Sequence, residues 1–221
     1  MPRIHQPPLN APPAATSQAP EGFARLEGFR RIAGVDEAGR GPWAGPVVAA
    51  AVILRRWPLP VRVDDSKRLT RLQRARAFQA ILEFADVGIG IVSAEEIDRC
   101  NVLQATLLAM RQAIQDLPHP PDLVLVDGNA SPPLEIPCRT IPHGDRSSAT
   151  ISCASIVAKV VRDGLMEFYD RLYPGYAFHR HKGYGTPQHA AALTQRGPSF
   201  LHRRSFRPVR GAFDAGEEAA S

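Results

Sequence analysis

Apolar residues fall into short runs in some stretches of the chain and recur every three or four residues in others, and the two periods mark out most of its elements. Residues 32–36 and 47–54 read as strands, separated by the turn-rich Gly39-Arg40-Gly41-Pro42. Thr70 is placed to cap a helix running to about 85, with Leu72, Ala75, Phe78, Ile81 and Leu82 on one face. A third strand covers 87–92. Ser93-Ala-Glu-Glu96 then has the capping-box form and opens a helix to about 117. Residues 123–127 form a strand ending on a carboxylate and a glycine, and a strand near 136–141 leads into His143-Gly144-Asp145. Residues 148–172 form a long helix, and Thr186-Pro187 starts another. Interleaved strands and helices predict a sheet covered by helices, an α/β or mixed fold. Residues 1–20, with six prolines, are expected to be a disordered extension and 211–221 a flexible tail. A single domain spans 21–210.

Composition narrows the class. With 44% apolar and 22% charged residues over 221 positions, the chain is neither wholly disordered nor fibrous. The longest apolar run, residues 46–54, is too short to cross a bilayer, and the start lacks the pattern of a secretory signal. Three cysteines without a CxxC suggest reduced thiols and a cytoplasmic protein. The net charge is +5, with eight basic residues between Arg55 and Arg76 and five arginines between Arg196 and Arg210. Such runs suit a polyanion, nucleic acid first, or form solvated faces. Only Lys67, Lys159 and Lys182 are lysines, and each lies in a segment of interest.

Asp36, Glu37, Asp127 and Asp145 sit beside glycine or at strand ends, where α/β folds gather functional groups. Hard cations such as Mg²⁺ take oxygen ligands, so these acids are either a metal site or surface residues and caps. Asp36 and Glu37 point to opposite faces of a regular strand, so sharing a site calls for a strand end or a bulge. Gly39 and Gly41 leave bare backbone around Arg40, for a ligand or for a tight turn. Ser66-Lys67 offers a phosphate grip or a helix cap. Ser152, Ser155, Lys159 and Arg162 make one polar stripe on the long helix, facing a nucleic-acid backbone or water. His179 and His181 lack partners for a zinc site. Tyr184, between glycines, is a stacking platform or a partly buried ring.

Together these segments resemble bacterial ribonuclease HII, the type 2 ribonuclease H. The resemblance rests on GVDEAGRGPWAGPVVAAAVIL (34–54), DDSKRLT (64–70), NVLQATLLAM (101–110), LVLVDGN (123–129) and HGD (143–145). ISCASIVAKVVRD (151–163), HKGYGTPQH (181–189) and HRRSF (202–206) complete it. It implies a ribonuclease H-like α/β fold: a mixed five-stranded sheet flanked by helices, with a helical C-terminal part. It also implies cleavage of the RNA strand in RNA–DNA hybrids, including single ribonucleotides embedded in duplex DNA.

By the same resemblance Asp36, Glu37, Asp127 and Asp145 are the metal-binding carboxylates. Gly39, Arg40 and Gly41 match the turn that reads the 2′-hydroxyl, and Tyr184 matches the tyrosine that stacks on the adjoining deoxyribose. Asp163 competes with Asp145 for the fourth carboxylate, but its spacing from Lys159 explains it as an ion pair. His143 stands where the family often has lysine. The expectation is a monomeric endonuclease using two Mg²⁺ or Mn²⁺ ions and leaving 3′-hydroxyl and 5′-phosphate ends. Ser66, Lys67, Ser155 and Lys159 would position phosphates. The rivals are a non-catalytic nucleic-acid binding module and a related nuclease acting on branched DNA.

Overall fold

A computed structural model describes residues 20–218; the segments 1–19 and 219–221, parts of the expected extension and tail, lie outside it. In chain order the elements are α1 (Pro20–Leu26), β1 (Ile32–Ala38), β2 (Val47–Leu54), α2 (Arg71–Phe84), β3 (Ala85–Val92), α3 (Ala94–Gln115), β4 (Leu123–Asp127) and β5 (Cys138–Ile141). There follow α4 (Gly144–Ser147), α5 (Ala149–Leu172), α6 (Phe178–His181), α7 (Pro187–Arg196) and α8 (Arg207–Glu218). Helix α8 runs through most of the stretch read from sequence as a tail.

The five strands form one sheet in the order β3-β2-β1-β4-β5. The first three are antiparallel neighbours, and β4 and β5 run parallel to β1. This is the mixed sheet that the resemblance implies. β2 is buried along nearly its whole length because helices cover both faces. Ala33, Val35, Ala49 and Ala51 pack toward Ala105, Ala109 and Ala113 of α3. The alternate residues Ala50 and Val52 pack with Ala154, Val157 and Ala158 of α5 and with Ile81 of α2. Glycines let the layers close: a β-carbon at Gly90 would lie 1.9 Å from the Ala109 carbonyl oxygen, and one at Gly34 would lie 2.2 Å from the Thr150 backbone. The start of α5 therefore rests directly on β1, two residues before Asp36.

The caps follow the sequence. Thr70, Ser93, Ser148 and Thr186 each accept a backbone N–H at the start of their helix. The predicted face of α2 does not. Leu72 and Leu82 are 62% and 46% exposed, and the buried residues are Ala77, Ala80 and Ile81. Ala77, Ala80 and Ile81 form the inner surface of α2, Phe78 packs partly against the same core, and Leu72 and Leu82 are left at the rim. Helix α3 also holds an unpredicted kink at Asn101, whose φ is 68°.

The predicted polar stripe of α5 faces neither water nor an open groove. Ser152, Ser155 and Arg162 are buried, because α5 is packed on its second side as well. Lys159, partly exposed, pairs with Asp163 at 2.8 Å, which is the structural role expected for that aspartate.

Candidate active site

Asp36 and Glu37 lie near the end of β1. The strand stays regular there, with Asp36 opposite Ala50, Glu37 opposite Ala49 and Ala38 opposite Val48, so no bulge brings the two acids together. They reach opposite faces, and a third acid joins them. The β1–β4 register ends at Val35 opposite Val126, which sets Asp127 beside Asp36 at the parallel strand ends. Asp127 Oδ1 accepts the N–H of Gly144 at 2.7 Å and of Asp145 at 3.4 Å, and thereby draws α4 and its carboxylate to the same corner. Gly144 leaves the room: a β-carbon there would lie 2.6 Å from Ile151 Cδ1. All four carboxylates predicted for the site thus stand at one end of the sheet.

Their electrostatics are unbalanced. Among the described residues only Glu37 has an ion-pair partner, Arg40 at 3.3 Å. Burial, with added repulsion from Glu37 and Asp127, pushes the Asp36 carboxyl well above its ordinary value. Burial also raises Glu37 against the pull of Arg40, with Asp127 adding to the rise. Asp145 is raised by burial and by the charges of Asp127 and Asp65, against Lys67 and Arg146. Among the described residues no group of three acidic, histidine or cysteine side chains stands arranged to hold a metal ion. The donor set nonetheless fits hard divalent cations, since it is all oxygen and only Glu37 of the four carboxylates has an ion-pair partner among the described residues. A cleft of about 340 Å³ opens beside it, bordered by Glu37, Arg40 and Asp127 and floored by Leu103, Leu107 and Met110 of α3.

The Gly39-Arg40-Gly41 turn adjoins this corner. Gly39 has φ +102°, and a β-carbon there would lie 2.1 Å from Arg162 Nε, so its bare side serves packing from within. Gly41 is exposed, and a β-carbon on it would lie 3.7 Å from Tyr184 Cε1. Turn and tyrosine are therefore neighbours, and Tyr184 is 46% exposed. Lys67 is also exposed. Ser66 and Ser155 are buried, and the Ser155 hydroxyl donates to Ser66 Oγ at 3.0 Å. These two serines bond to each other, and of the grip only Lys67 is open to a phosphate.

Sequence reasoning missed what lies beneath the turn. Arg162 and Arg203 are fully buried, although one was assigned to an outward stripe and the other to a basic run. His181, His189 and His202 are buried beside them. The Ser199 N–H donates to His202 Nδ1 at 2.9 Å, so His202 carries its proton on Nε2 and donates to His189 Nε2 at 3.0 Å. His189 Nδ1–H then donates to the Tyr184 carbonyl at 2.9 Å. The one visible signal was a high density of histidine and arginine among glycines.

The fold and this acidic corner define a nuclease core of the ribonuclease H type. The family model described as Ribonuclease HII matches residues 33–209. The chain is 53% identical over 191 residues to the ribonuclease HII of Geobacter sulfurreducens, covering 86% of this chain and 88% of that one. Its structure is similar to the ribonuclease H2 of Pyrococcus horikoshii OT3, with a TM-score of 0.71, 26% identity, and coverage of 86% and 100%. A ribonuclease HIII crystallised with Mn²⁺ shares the fold at 19% identity and a TM-score of 0.65, covering 90% of this chain and 74% of that one. The chain belongs to the ribonuclease HII family. It is a metal-dependent endoribonuclease that hydrolyses the RNA strand of RNA–DNA hybrids. None of its described helices is long and apolar enough to cross a membrane.

Proposed function

We propose that Asp36, Glu37, Asp127 and Asp145 hold Mg²⁺ or Mn²⁺ and that the Gly39–Gly41 turn with Tyr184 selects the ribonucleotide, including a single one embedded in duplex DNA. The observation that carries this reading is the meeting of four carboxylates, one of them tied to Arg40, beside an exposed glycine turn and an exposed aromatic ring. Divalent ions held by Asp36, Glu37, Asp127 and Asp145 would supply Lewis acidity to the attacking water and to the leaving 3′-oxygen. The chain's own groups do the rest. Asp127 fixes the loop that presents Asp145, and the Glu37 N–H, donating to Asp36 Oδ1 at 2.7 Å, orients Asp36. Arg40 joins the reading turn to Glu37, so that a nucleotide seated on the turn lies next to the acids. Tyr184 offers its face to a deoxyribose, and the 2′-hydroxyl marks RNA at its neighbour. Lys67 contacts phosphate without reading sequence.

The test is cleavage of duplex DNA containing one ribonucleotide, with an all-DNA duplex as control, in Mg²⁺, Mn²⁺ or EDTA. The expected result is a metal-dependent cut on the 5′ side of the ribonucleotide, leaving 3′-hydroxyl and 5′-phosphate ends, with no cut in the control. Binding without cleavage in either metal would return the chain to a non-catalytic reading.

A further inference from the structure

Arg162 and Arg203 are buried without a carboxylate partner among the described residues, and between them they donate to six backbone carbonyls. Arg162 reaches the carbonyls of Pro46 (2.9 Å), Ala44 (3.2 Å) and Lys182 (3.0 Å). Arg203 reaches those of Gly45 (2.8 Å), Gly39 (2.5 Å) and Arg40 (2.8 Å). A guanidinium offers five donors in one plane, which suits converging carbonyls. Burial, with some repulsion from Arg162, lowers Arg203 to about 9, so it stays charged at neutral pH.

The direction of these bonds matters more than their number. In a trans peptide the C=O and the following N–H lie in one plane and point opposite ways. Drawing the Gly39 and Arg40 carbonyls inward onto Arg203 therefore turns the N–H groups of Arg40 and Gly41 outward. Both residues are exposed, and neither N–H has a hydrogen-bond partner among the described residues. Beside them lies the Tyr184 ring, whose preceding chain Arg162 holds through the Lys182 carbonyl. Two free donors and an aromatic face are thus aimed into one space by two buried cations.

We propose that Arg203 is the positioning residue for ribonucleotide specificity: clamping the Gly39 and Arg40 carbonyls, it presents the Arg40 and Gly41 N–H groups to the sugar oxygens of a nucleotide lying against Tyr184. The inference rests on the turn and Tyr184 being the 2′-hydroxyl reader. Lysine does not substitute, because a single ammonium on a flexible stem does not span three carbonyls in one plane.

The test measures kcat/KM for duplex DNA with one ribonucleotide against kcat/KM for a continuous RNA–DNA hybrid, in the parent protein, Arg203→Lys and Tyr184→Ala. Arg203→Lys is expected to lower the ratio at least tenfold and to leave Mn²⁺ affinity at the carboxylates unchanged. A parental ratio in Arg203→Lys together with a lowered ratio in Tyr184→Ala overturns this inference and leaves the reading of the turn standing. A parental ratio in both variants overturns the reading itself. Equal loss on both substrates with weakened Mn²⁺ binding reduces Arg203 to a purely structural role and overturns the inference as well. Hydrogen exchange on the unaltered protein decides the matter if Arg203→Lys does not fold. The Arg40 and Gly41 amides exchange freely alone and slow at least tenfold with the ribonucleotide duplex in EDTA, but not with all-DNA duplex. Equal protection by both duplexes, or by neither, overturns the proposal.

Discussion

At the acidic corner Asp36, Asp127 and Asp145 stand together, and none has an ion-pair partner among the described residues. Beneath the neighbouring turn, two guanidiniums and three imidazoles are just as deeply buried, yet each is matched to a backbone carbonyl or to another ring. One region holds three carboxylates without an ion-pair partner among the described residues, and the other is saturated before any substrate arrives. Burying unneutralised carboxylates costs stability, and the cation proposed for this corner would recover it. The saturated platform cannot readily reshape itself, which suits the role proposed for it, telling a ribose from a deoxyribose by a single hydroxyl. Arg40 joins the two, with its side chain on Glu37 and its carbonyl on Arg203.

The sharpest way to break this comparison is to disable one side and leave the other intact. Asp127→Asn removes a charge from the corner but keeps an oxygen able to accept the Gly144 N–H, so the loop stays placed. Turnover is expected to fall by at least about 10³-fold, since metal-assisted attack loses a ligand. Affinity for a ribonucleotide-containing duplex is expected to stay within about threefold, because the turn and Tyr184 are untouched. Single-turnover cleavage and fluorescence anisotropy on the same preparation read the two quantities. Equal activity in the variant removes Asp127 from the site.

The converse experiment strikes the platform. Arg162→Met keeps much of the side-chain volume but strands three buried carbonyls, those of Pro46, Ala44 and Lys182. Unsatisfied buried acceptors cost about 1–3 kcal/mol each, and local hydration recovers part of that. A net loss of about 3 kcal/mol is expected from urea unfolding. A loss below about 1 kcal/mol shows that the carbonyl clamp contributes little to folding.

These two regions were unequally legible in the sequence. The carboxylates stood out because each sits beside glycine or at a strand end, a local signal that the resemblance joined into one site, and β2, β4 and the caps Thr70 and Ser93 were read on equally local grounds. Arg203 was not, since its carbonyl partners at Arg40 and Gly39 lie 163 and 164 residues earlier in the chain. Nothing in the sequence around it separates a buried arginine from an exposed one. The α5 stripe failed for a related reason. Its spacing was right, but a helix covered on two sides buries its polar side as well, and Ser155 and Arg162 then bond inward. Asp36 and Glu37 were expected to need a strand end or a bulge; they lie near the end of β1, which stays regular, and the parallel neighbour β4 brings Asp127 up to them.

Acid titration sharpens the comparison with a smaller effect, because the two regions respond with opposite sign. Burial lowers His181 and His189 and takes His202 to about 4, while the same imidazole in the unfolded chain titrates near 6.5. Between about pH 6.5 and pH 4 the unfolded chain therefore binds protons that the folded chain refuses, and stability drains as the pH falls through that window. Asp36, Glu37 and Asp145 have raised values, so their ionised forms are disfavoured in the folded state near neutrality and the strain is relieved on acidification. His202→Gln should flatten the loss of stability between pH 6.5 and 4, by up to about 1.4 kcal/mol per pH unit for one imidazole. Asp36→Asn should instead raise stability at pH 7 by about 1 kcal/mol while abolishing turnover, and the gain should vanish near pH 4, where the parent carboxyl is already protonated. Urea midpoints for the parent and both variants, taken in EDTA from pH 4 to 8, read both slopes. An Asp36→Asn protein that is less stable than its parent at pH 7 would show that the uncompensated charge is already balanced within the chain, and the contrast between the two regions would fall with it.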